Sequence, residues 1–439
     1  MSVVTETPTA EQGSAKHGKN ALFGAMFGFF ADMYDIYLPV VALAPAMVYF
    51  QPEDSSTIDT AVFAALIFTA SILGRPLGSL IFGPLGDRIG RRTTTLIAAG
   101  GSAVCTGIMC VMPGYAAIGI WALVMLVVLR LLDGVFLGGE YTAANPLAME
   151  HAPKHRRGVY GSLINMGFPL SLAFITVVTM ITLHFLPAGD AFSAYAVWGW
   201  RIPFVIGFIL CLALFIAYLR AVPESELWAT EDKPKGPIIG QLFAPGLRRV
   251  FLLACVTVTG LWFSMNGTVG VFAGHFQGLG VDTGTTNAII LVASTISAAL
   301  FPVVGHLSQR LGRRRVILAI GTVILILGTG GMVLAVATVG TALMAVSAVL
   351  MLISGFLIWA TITAFLIELF PTHIRATGYG IAYAIPSIVP AFYAYYMVWI
   401  DGVLPYEYTP AVIIALGGLL IVGGSASIRD ARDKDLADI

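Results

Sequence analysis

The chain is expected to be an all-α integral membrane protein, with twelve transmembrane helices forming two six-helix bundles related by pseudo-two-fold symmetry. Three observations predict this. Of its 439 residues, 58% are hydrophobic and only 11% charged, more apolar surface than a soluble core could hide. Apolar stretches of about 20 residues, the length that crosses a bilayer as a helix, recur along the whole chain. A short basic turn also occurs twice, 222 positions apart: Gly83 to Arg92 reads GPLGDRIGRR and Gly305 to Arg314 reads GHLSQRLGRR, identical at six of ten positions. A repeat at half the chain length, in a sequence this apolar, indicates one helical bundle duplicated within a membrane, which points toward a transporter.

Taken in order, residues 1–20 are polar and contain no apolar stretch followed by small residues, so they read as a cytoplasmic tail and not as a cleaved signal. Helices are expected near 21–50, 60–83, 93–112, 117–149, 157–186 and 197–220, which make a first bundle over 21–220. A polar linker over 221–247, with VPESELWATEDKPKG at its centre, separates it from a second bundle over 248–427. The second set falls near 248–276, 284–306, 315–338, 341–369, 374–400 and 408–427, followed by a tail over 428–439. The fourth and tenth helices are long enough to tilt or to protrude on one side.

Net charge is zero, so total charge says nothing of partners, but its distribution does. The tails and even-numbered loops hold 21 of the 24 Lys and Arg residues, and the opposite loops hold Arg201 alone. Positive residues in short loops stay in the cytoplasm, so both termini are placed there, in a cell (inner or plasma) membrane. The outer loops carry acids, Glu53, Asp54, Asp59, Asp190, Asp282 and Asp401 among them. Cys105, Cys110, Cys211 and Cys255 lie in apolar segments without metal or disulfide spacing and read as core filler.

A second internal match falls at the ends of helices four and ten, where Glu150, Pro153 and Arg157 have the spacing of Glu368, Pro371 and Arg375, offset by 218. Each Glu closes one helix and each Arg opens the next, so the pair could bridge neighbouring helices at the inner face. Such a pair is either a permanent tie or a gate that closes when the cavity faces outward. Together with Asp87, Arg88 and Arg91 of the first turn and Arg310 of the second, these four residues are the gate candidates.

The first turn, with Gly, an acid plus Arg, Gly and two basic residues in order, resembles the signature turn of the major facilitator superfamily. The second copy has Gln309 where the first has Asp87, which makes Asp87 the expected switch. Within that superfamily the N-terminal half is similar to the metabolite:proton symporters, carriers of shikimate, citrate, 2-oxoglutarate, aromatic acids and proline or betaine. RPLGSLIFGPLGDRIGRR from Arg75, RLLDGVFLGGE from Arg130, EHAPKHRRGVYGS from Glu150, and WGWRIPF from Trp198 followed by PESELW carry the likeness. The C-terminal half is similar chiefly through its loop repeat and ELFPTHIRATG. Asp133 and Tyr141 stand where this branch more often has an amide and a tryptophan, and helix one reads ADMYDIY where Glu-aromatic-aromatic-Asp is expected.

Six charges fall well inside predicted helices, away from their ends, where a bilayer would exclude them: Asp32, Asp35, Arg75, Arg130, Asp133 and Glu140. Each costs ~2.5–3.5 kcal/mol or more at mid-membrane unless paired or hydrated, so by default each marks function. Asp32 and Asp35 share a face of helix one, and Arg130, Asp133, Glu140 and Tyr141 form a stripe on helix four. Two close carboxylates in low dielectric repel, so one is expected to keep its proton, the property a proton-coupling site requires. Asp32, Asp35, Asp133 and Glu140 are the proton-coupling candidates, with neutralisation of Arg75 and Arg130 as the structural alternative. Coupling is favoured for Asp35 and Asp133, while Glu140, beside Gly138 and Gly139, also suits a structural role.

Arg130 either clamps a substrate carboxylate or stabilises Asp133 one turn away, and protonation of the acid would free it for the anion. Arg75, just before Pro76, reads as a packing or gate residue. Glycine pairs four apart, Gly74 with Gly78 and Gly134 with Gly138, suit close helix contact. The C-terminal half has no mid-membrane charge. By the resemblance, helices seven and ten line the cavity with Trp262, Ser264, Asn266, Trp359, Thr361 and Thr363, and helix eleven adds Tyr383, Tyr393, Tyr395 and Tyr396. With Tyr34 and Arg130, the residues Trp262, Asn266, Trp359 and Tyr383 are the candidate substrate contacts, suited to a small organic body whose charged end the N-terminal half holds. Trp198, Trp200 and Trp399 read as interfacial anchors, and His275 as a candidate pH sensor.

No Gly-rich phosphate loop, His-Glu metal cluster or nucleophile elbow occurs in the sequence, so neither an ATP-driven pump nor a membrane enzyme is supported. The expectation is a secondary transporter working as a monomer by alternating access, without cofactor or metal and driven by the proton gradient. Its partners are protons, the lipid bilayer and a small organic anion, with no nucleic acid. A zwitterion or compatible-solute symporter, a drug-proton antiporter and a nontransporting membrane sensor are the alternatives, although helix five reads NMGFPLSL and lacks the Gly-Pro-Gly-Gly pattern of exporters.

Overall fold

The computed structural model describes residues 10–52, 55, 57–225, 228–229, 238–428, 430 and 436. Glu53, Asp54, the side chain of Asp59, the linker at 226–227 and 230–237, and most of both tails lie outside the described residues. Within them are twelve helices long and apolar enough to cross a membrane. The N-terminal half contains α1 (Asn20–Tyr49), α2 (Leu66–Ile89), α3 (Arg91–Cys110), α4 (Trp121–Glu150), α5 (Lys154–Phe185) and α6 (Tyr195–Arg220). The C-terminal half contains α7 (Arg248–Gly278), α8 (Thr283–Leu311), α9 (Arg313–Ala337), α10 (Ala342–Ile367), α11 (Thr372–Asp401) and α12 (Tyr406–Ala426). A bilayer leaves no water for backbone groups, so continuous helices satisfy them internally.

The two halves repeat one packing plan. In the first, α2 lies along α4 and α1 against α6; in the second, α8 lies along α10 and α7 against α12. The halves meet along α2 with α11 and along α5 with α8 and α10. Small residues set the tightest contact, because a Cβ at Gly78 would lie 2.0 Å from the carbonyl of Val135 and one at Gly134 would lie 2.2 Å from that of Ser71. Only glycine lets α2 and α4 approach so closely, and this approach lays the Arg75 guanidinium over the ring of Tyr141 on α4.

The basic turns differ from their expected form. Helices two and eight do not stop at Gly83 and Gly305 but continue to Ile89 and Leu311, so most of each turn is helical. An apolarity criterion stops at the edge of the hydrocarbon, whereas backbone hydrogen bonding carries the helix beyond it. The chain reverses at a single residue in each half, Gly90 with φ 111° and Gly312 with φ 102°. That left-handed backbone favours glycine, and the two positions are again 222 apart.

Several helices are interrupted part-way along their length. Helix α1 widens to π geometry at Leu38–Leu43 and tightens at Ala44–Tyr49, and α7 widens at Asn266–Gly270. Helix α11 is broken by short turns at Ile385–Ser387 and Pro390–Phe392. Such interruptions in transporter helices expose backbone groups or redirect side chains near binding sites.

Cys105, Cys110 and Cys211 are buried and Cys255 half-buried, all as free thiols. Trp198 and Trp399 are largely exposed, as interfacial anchors would be. Trp200 is not; it is fully buried, packed edge-on against Phe50 and Phe204 with the Arg201 guanidinium 4.6 Å over its ring.

Candidate functional site: buried charges and a basic-face lock

The six membrane charges are buried in two separate clusters of the N-terminal half. In one, Nη1 of Arg130 on α4 donates to Asp35 Oδ2 on α1 at 2.8 Å, to the Asp35 carbonyl at 3.1 Å and to Asp133 Oδ2 at 3.0 Å. Two hydroxyls of α3 complete it: Ser102 donates to Asp133 Oδ1 at 2.8 Å and Thr106 to Asp35 Oδ1 at 3.1 Å. Nε and Nη2 of Arg130 find no acceptor among the described residues, and its guanidinium lies 5.3 Å over the ring of Phe204 on α6. Every one of these partners belongs to the first half.

The other cluster lies at the seam between halves. Asp32 is fully buried, and its strongest charged neighbours are Glu140 and Arg75. The carboxyls of Asp32 and Glu140 face each other, and no N–H or O–H among the described residues reaches either Asp32 oxygen. Two acceptors facing each other form a hydrogen bond only when one of them carries the proton.

Arg75 is 2% exposed, and its Nε and Nη2 also lack acceptors among the described residues. Its guanidinium is held instead by ring faces, 5.0 Å from Tyr141 of α4 and 5.8 Å from Trp262 of α7. Trp359 of α10 and Tyr383 of α11 close the group, set edge-on to Trp262 at 5.4 and 6.0 Å. Trp262 Nε1 donates to the Tyr383 carbonyl at 3.1 Å, but the Tyr141 and Tyr383 hydroxyls and Trp359 Nε1 have no partner among the described residues. Buried polar atoms are nearly always paired, so this concentration of unpaired ones marks a site.

Asp32 and Asp35 are therefore held by different partners, although the charge of Asp35 still acts on Asp32. Three helical residues turn the second side chain by about 60° and raise it by nearly one turn, so Asp35 meets Asp133 and Arg130 while Asp32 meets Glu140 and Arg75. Arg75, read from the sequence as a packing or gate residue, occupies the aromatic group at the seam. Trp262, Trp359 and Tyr383 are brought together there. Tyr34 is not: its hydroxyl donates to the Pro203 carbonyl on α6 at 3.1 Å and its ring packs on Phe174. Asn266 is used within the second half, donating to the Pro390 carbonyl at 2.8 Å. His275 sits apart, with Nε2 2.9 Å from the Glu407 carbonyl.

Cross-half polar contacts beside the site escaped the sequence reading. Asn145 of α4 donates to the Tyr379 hydroxyl of α11 at 2.6 Å, and Asn165 of α5 donates to the Trp359 carbonyl at 2.5 Å and to Thr363 at 2.8 Å. The signal was there in principle: an amide within an apolar helix needs a partner.

At the face that bears the basic turns, the halves are locked together. The expected pairing of Glu150 with Arg157 and of Glu368 with Arg375 is replaced by a crossed one. Glu150 takes Arg91 of its own half at 3.0 Å and Arg375 of the other half at 3.0 Å. Glu368 takes Arg313 of its own half at 2.9 Å, and Arg157 of the other half acts on it through its charge. The reason is geometric, since each Arg opens a helix that faces the opposite bundle.

Asp87 and Gln309 are equivalent in place and unequal in strength. Asp87 accepts from the Ala376 and Thr377 amides at 3.1 and 2.9 Å and from the Thr377 hydroxyl at 2.6 Å, with Arg91 at 3.5 Å, so it caps α11 from the opposite half. Gln309 accepts from the Gly158 amide of α5 at 2.9 Å and from Arg313 at 2.8 Å. Arg88 and Arg310 lie at the exposed edges of the two turns. The linker joins the lock, with Glu224 accepting from the Arg91 and Arg92 amides, Trp228 donating to the Asp87 carbonyl at 2.9 Å, and Ser225 donating to Glu150. The Leu436 carbonyl near the chain's end also accepts from Arg375 at 2.8 Å.

Residues 25–394 match the family model of the Major Facilitator Superfamily. The chain is 29% identical over 414 residues to the inner membrane metabolite transport protein YhjE of Escherichia coli, covering 91% of this chain and 92% of that one. It is 29% identical over 347 residues to the E. coli shikimate transporter (73% and 74% covered) and 28% identical over 391 residues to the ectoine/proline transporter ProP of Corynebacterium glutamicum (83% and 74%). Among solved structures, the proton:xylose symporter XylE bound to 6-bromo-6-deoxy-D-glucose superposes with a TM-score of 0.74 at 16% identity, covering 97% of this chain and 98% of that one. The chain thus belongs to the major facilitator superfamily, as a multi-pass membrane transporter of metabolites or similar small solutes and not an enzyme.

Proposed function

We propose that this transporter takes up a small organic acid together with protons. One observation carries the reading: four buried acids, Asp32, Asp35, Asp133 and Glu140, face only two buried arginines, Arg75 and Arg130. An excess of two negative charges in a medium that excludes charge is relieved by protons, and groups that must bind protons inside a membrane suit coupling to a proton gradient. A shikimate transporter among the relatives and proton symporters among the structural neighbours support it.

Alternating access would proceed by breaking the basic-face lock. Asp87, Arg91, Glu150 and Arg375 tie the halves while that face is closed, and protonation with substrate binding shifts the balance toward its opening. By the distribution of Lys and Arg, this face is the cytoplasmic one.

The second reading is a zwitterion symporter, favoured by the nearness of Asp32 to Arg75, which offers both signs of charge in one site, and by the ectoine/proline relative. Whole-cell uptake of carboxylates, betaines and amino acids, with and without an uncoupler, tests both. Uncoupler-sensitive accumulation of a carboxylate is the expected result. Accumulation of betaines or amino acids alone selects the second reading, and no accumulation of any candidate contradicts both.

A further inference from the structure

The Arg75 cluster supports a sharper statement, which rests on the organic-acid reading above. We propose that Arg75 is the carboxylate ligand of the substrate, that Tyr141, Trp262, Trp359 and Tyr383 hold a flat-ringed body against it, and that the Asp32–Glu140 pair takes up one proton when the carboxylate binds.

Position comes first. Substrate sites of transporters built from repeats lie where the halves meet. Arg75 touches the first half through Tyr141 and the second through Trp262. Arg130 has all its partners inside the first half.

Vacant bonding capacity comes next. A guanidinium offers five N–H donors in a planar fork matched to a carboxylate. Nε and Nη2 of Arg75, adjacent edges of that fork, are buried without acceptors among the described residues; those of Arg130 are too, but its Nη1 already holds two carboxylates, whereas Arg75 makes no ion pair there. The Tyr141 and Tyr383 hydroxyls and Trp359 Nε1 are equally unpaired and could hydrogen-bond a ring substituent. Four aromatic side chains in mutual contact present flat faces, which suit a planar body better than a branched chain.

Charge balance gives the proton. With one proton shared, Asp32 and Glu140 together carry one negative charge and balance Arg75, while Asp35 and Asp133, whose charges also act on the pair, are offset in part by Arg130. A monocarboxylate on Arg75 would add an uncompensated negative charge in a buried place, and one more proton on the pair removes it. A zwitterion, neutral in itself, has no such requirement.

Benzoate, a flat monocarboxylate, is the probe. Its binding to the purified protein in detergent is read by tryptophan fluorescence, and proton uptake by a pH indicator in weakly buffered solution. The expected result is saturable quenching with one proton taken up per benzoate. Arg75→Gln should weaken binding at least tenfold, and Arg75→Lys, which keeps the charge without the fork, should weaken it less while keeping one proton per benzoate. Asp32→Asn should abolish the proton uptake, and Asp35→Asn should leave it intact.

Benzoate binding unchanged in Arg75→Gln, proton uptake lost in Asp35→Asn but kept in Asp32→Asn, or binding of glycine betaine and not benzoate would each overturn the proposal. Its failure is distinguishable from failure of the transport reading. Binding with proton uptake but without uncoupler-sensitive accumulation in cells contradicts only the latter, and such accumulation independent of Arg75 contradicts only the former.

Discussion

Arg75 and Arg130 are two arginines of the same bundle, both buried in the membrane, yet they are held by opposite means. Arg130 bridges two carboxylates, with hydroxyls from α3 behind them. Arg75 has ring faces in place of anions. A buried charge is costly unless it is paired, and cation–π contact returns only part of that cost. Arg130 is thus ion-paired within its bundle through Nη1, with Nε and Nη2 left open, while Arg75, without an ion pair among the described residues, is arranged to receive an anion.

The sharpest way to break this contrast is to neutralise each arginine in turn. Arg130→Gln leaves Asp35 and Asp133 facing each other without a cation and should cost about 3–5 kcal/mol of stability, read as a lowered melting temperature in detergent. Adding Asp35→Asn should recover much of that loss, because the repulsion goes with the second charge. Arg75→Gln should cost far less stability, since no bonded partner is orphaned. Equal melting points for the two single variants would remove the distinction.

The lock between halves offers a second comparison of the same kind. Asp87→Ala removes a charged acceptor from three donors at the start of α11, each such bond worth about 1.5–3 kcal/mol, and hydrogen exchange at the Ala376 and Thr377 amides should accelerate strongly. Gln309→Ala removes one neutral acceptor from the Gly158 amide, worth about 0.5–1.5 kcal/mol, so exchange there should rise less. If the two sites respond alike, the copies have not diverged as the structure indicates. The smallest effect is expected from Tyr34→Phe, which loses one bond to the Pro203 carbonyl; stability should drop by about 1 kcal/mol with solute selectivity unchanged.

Much of the fold was legible because the membrane imposes it. Apolar length located all twelve spans, and the duplicated turn exposed the two-half plan before any contact was known. What escaped was contact across the duplication. Glu150 and Arg157 are neighbours in sequence, but Arg157 opens a helix that faces the other bundle, so Glu150 pairs with Arg375. The charges inside helices could be named without structure, yet their partners depend on rotation about each axis. That rotation divides Asp32 from Asp35, turns Tyr34 away from the seam and brings Arg75 to it. Trp200 was misplaced for a similar reason, since closeness to a membrane face does not say which way a ring points.

On this reading Arg75 meets the solute and the Asp32–Glu140 pair takes up the driving proton. Accumulation and counterflow of one transported carboxylate, measured in cells or vesicles carrying Arg75→Gln or Asp32→Asn, put both halves of that statement at risk. Asp32→Asn should lose accumulation and keep exchange, and Arg75→Gln should lose both. Exchange at the wild-type rate in Arg75→Gln, or undiminished accumulation in Asp32→Asn, would contradict it.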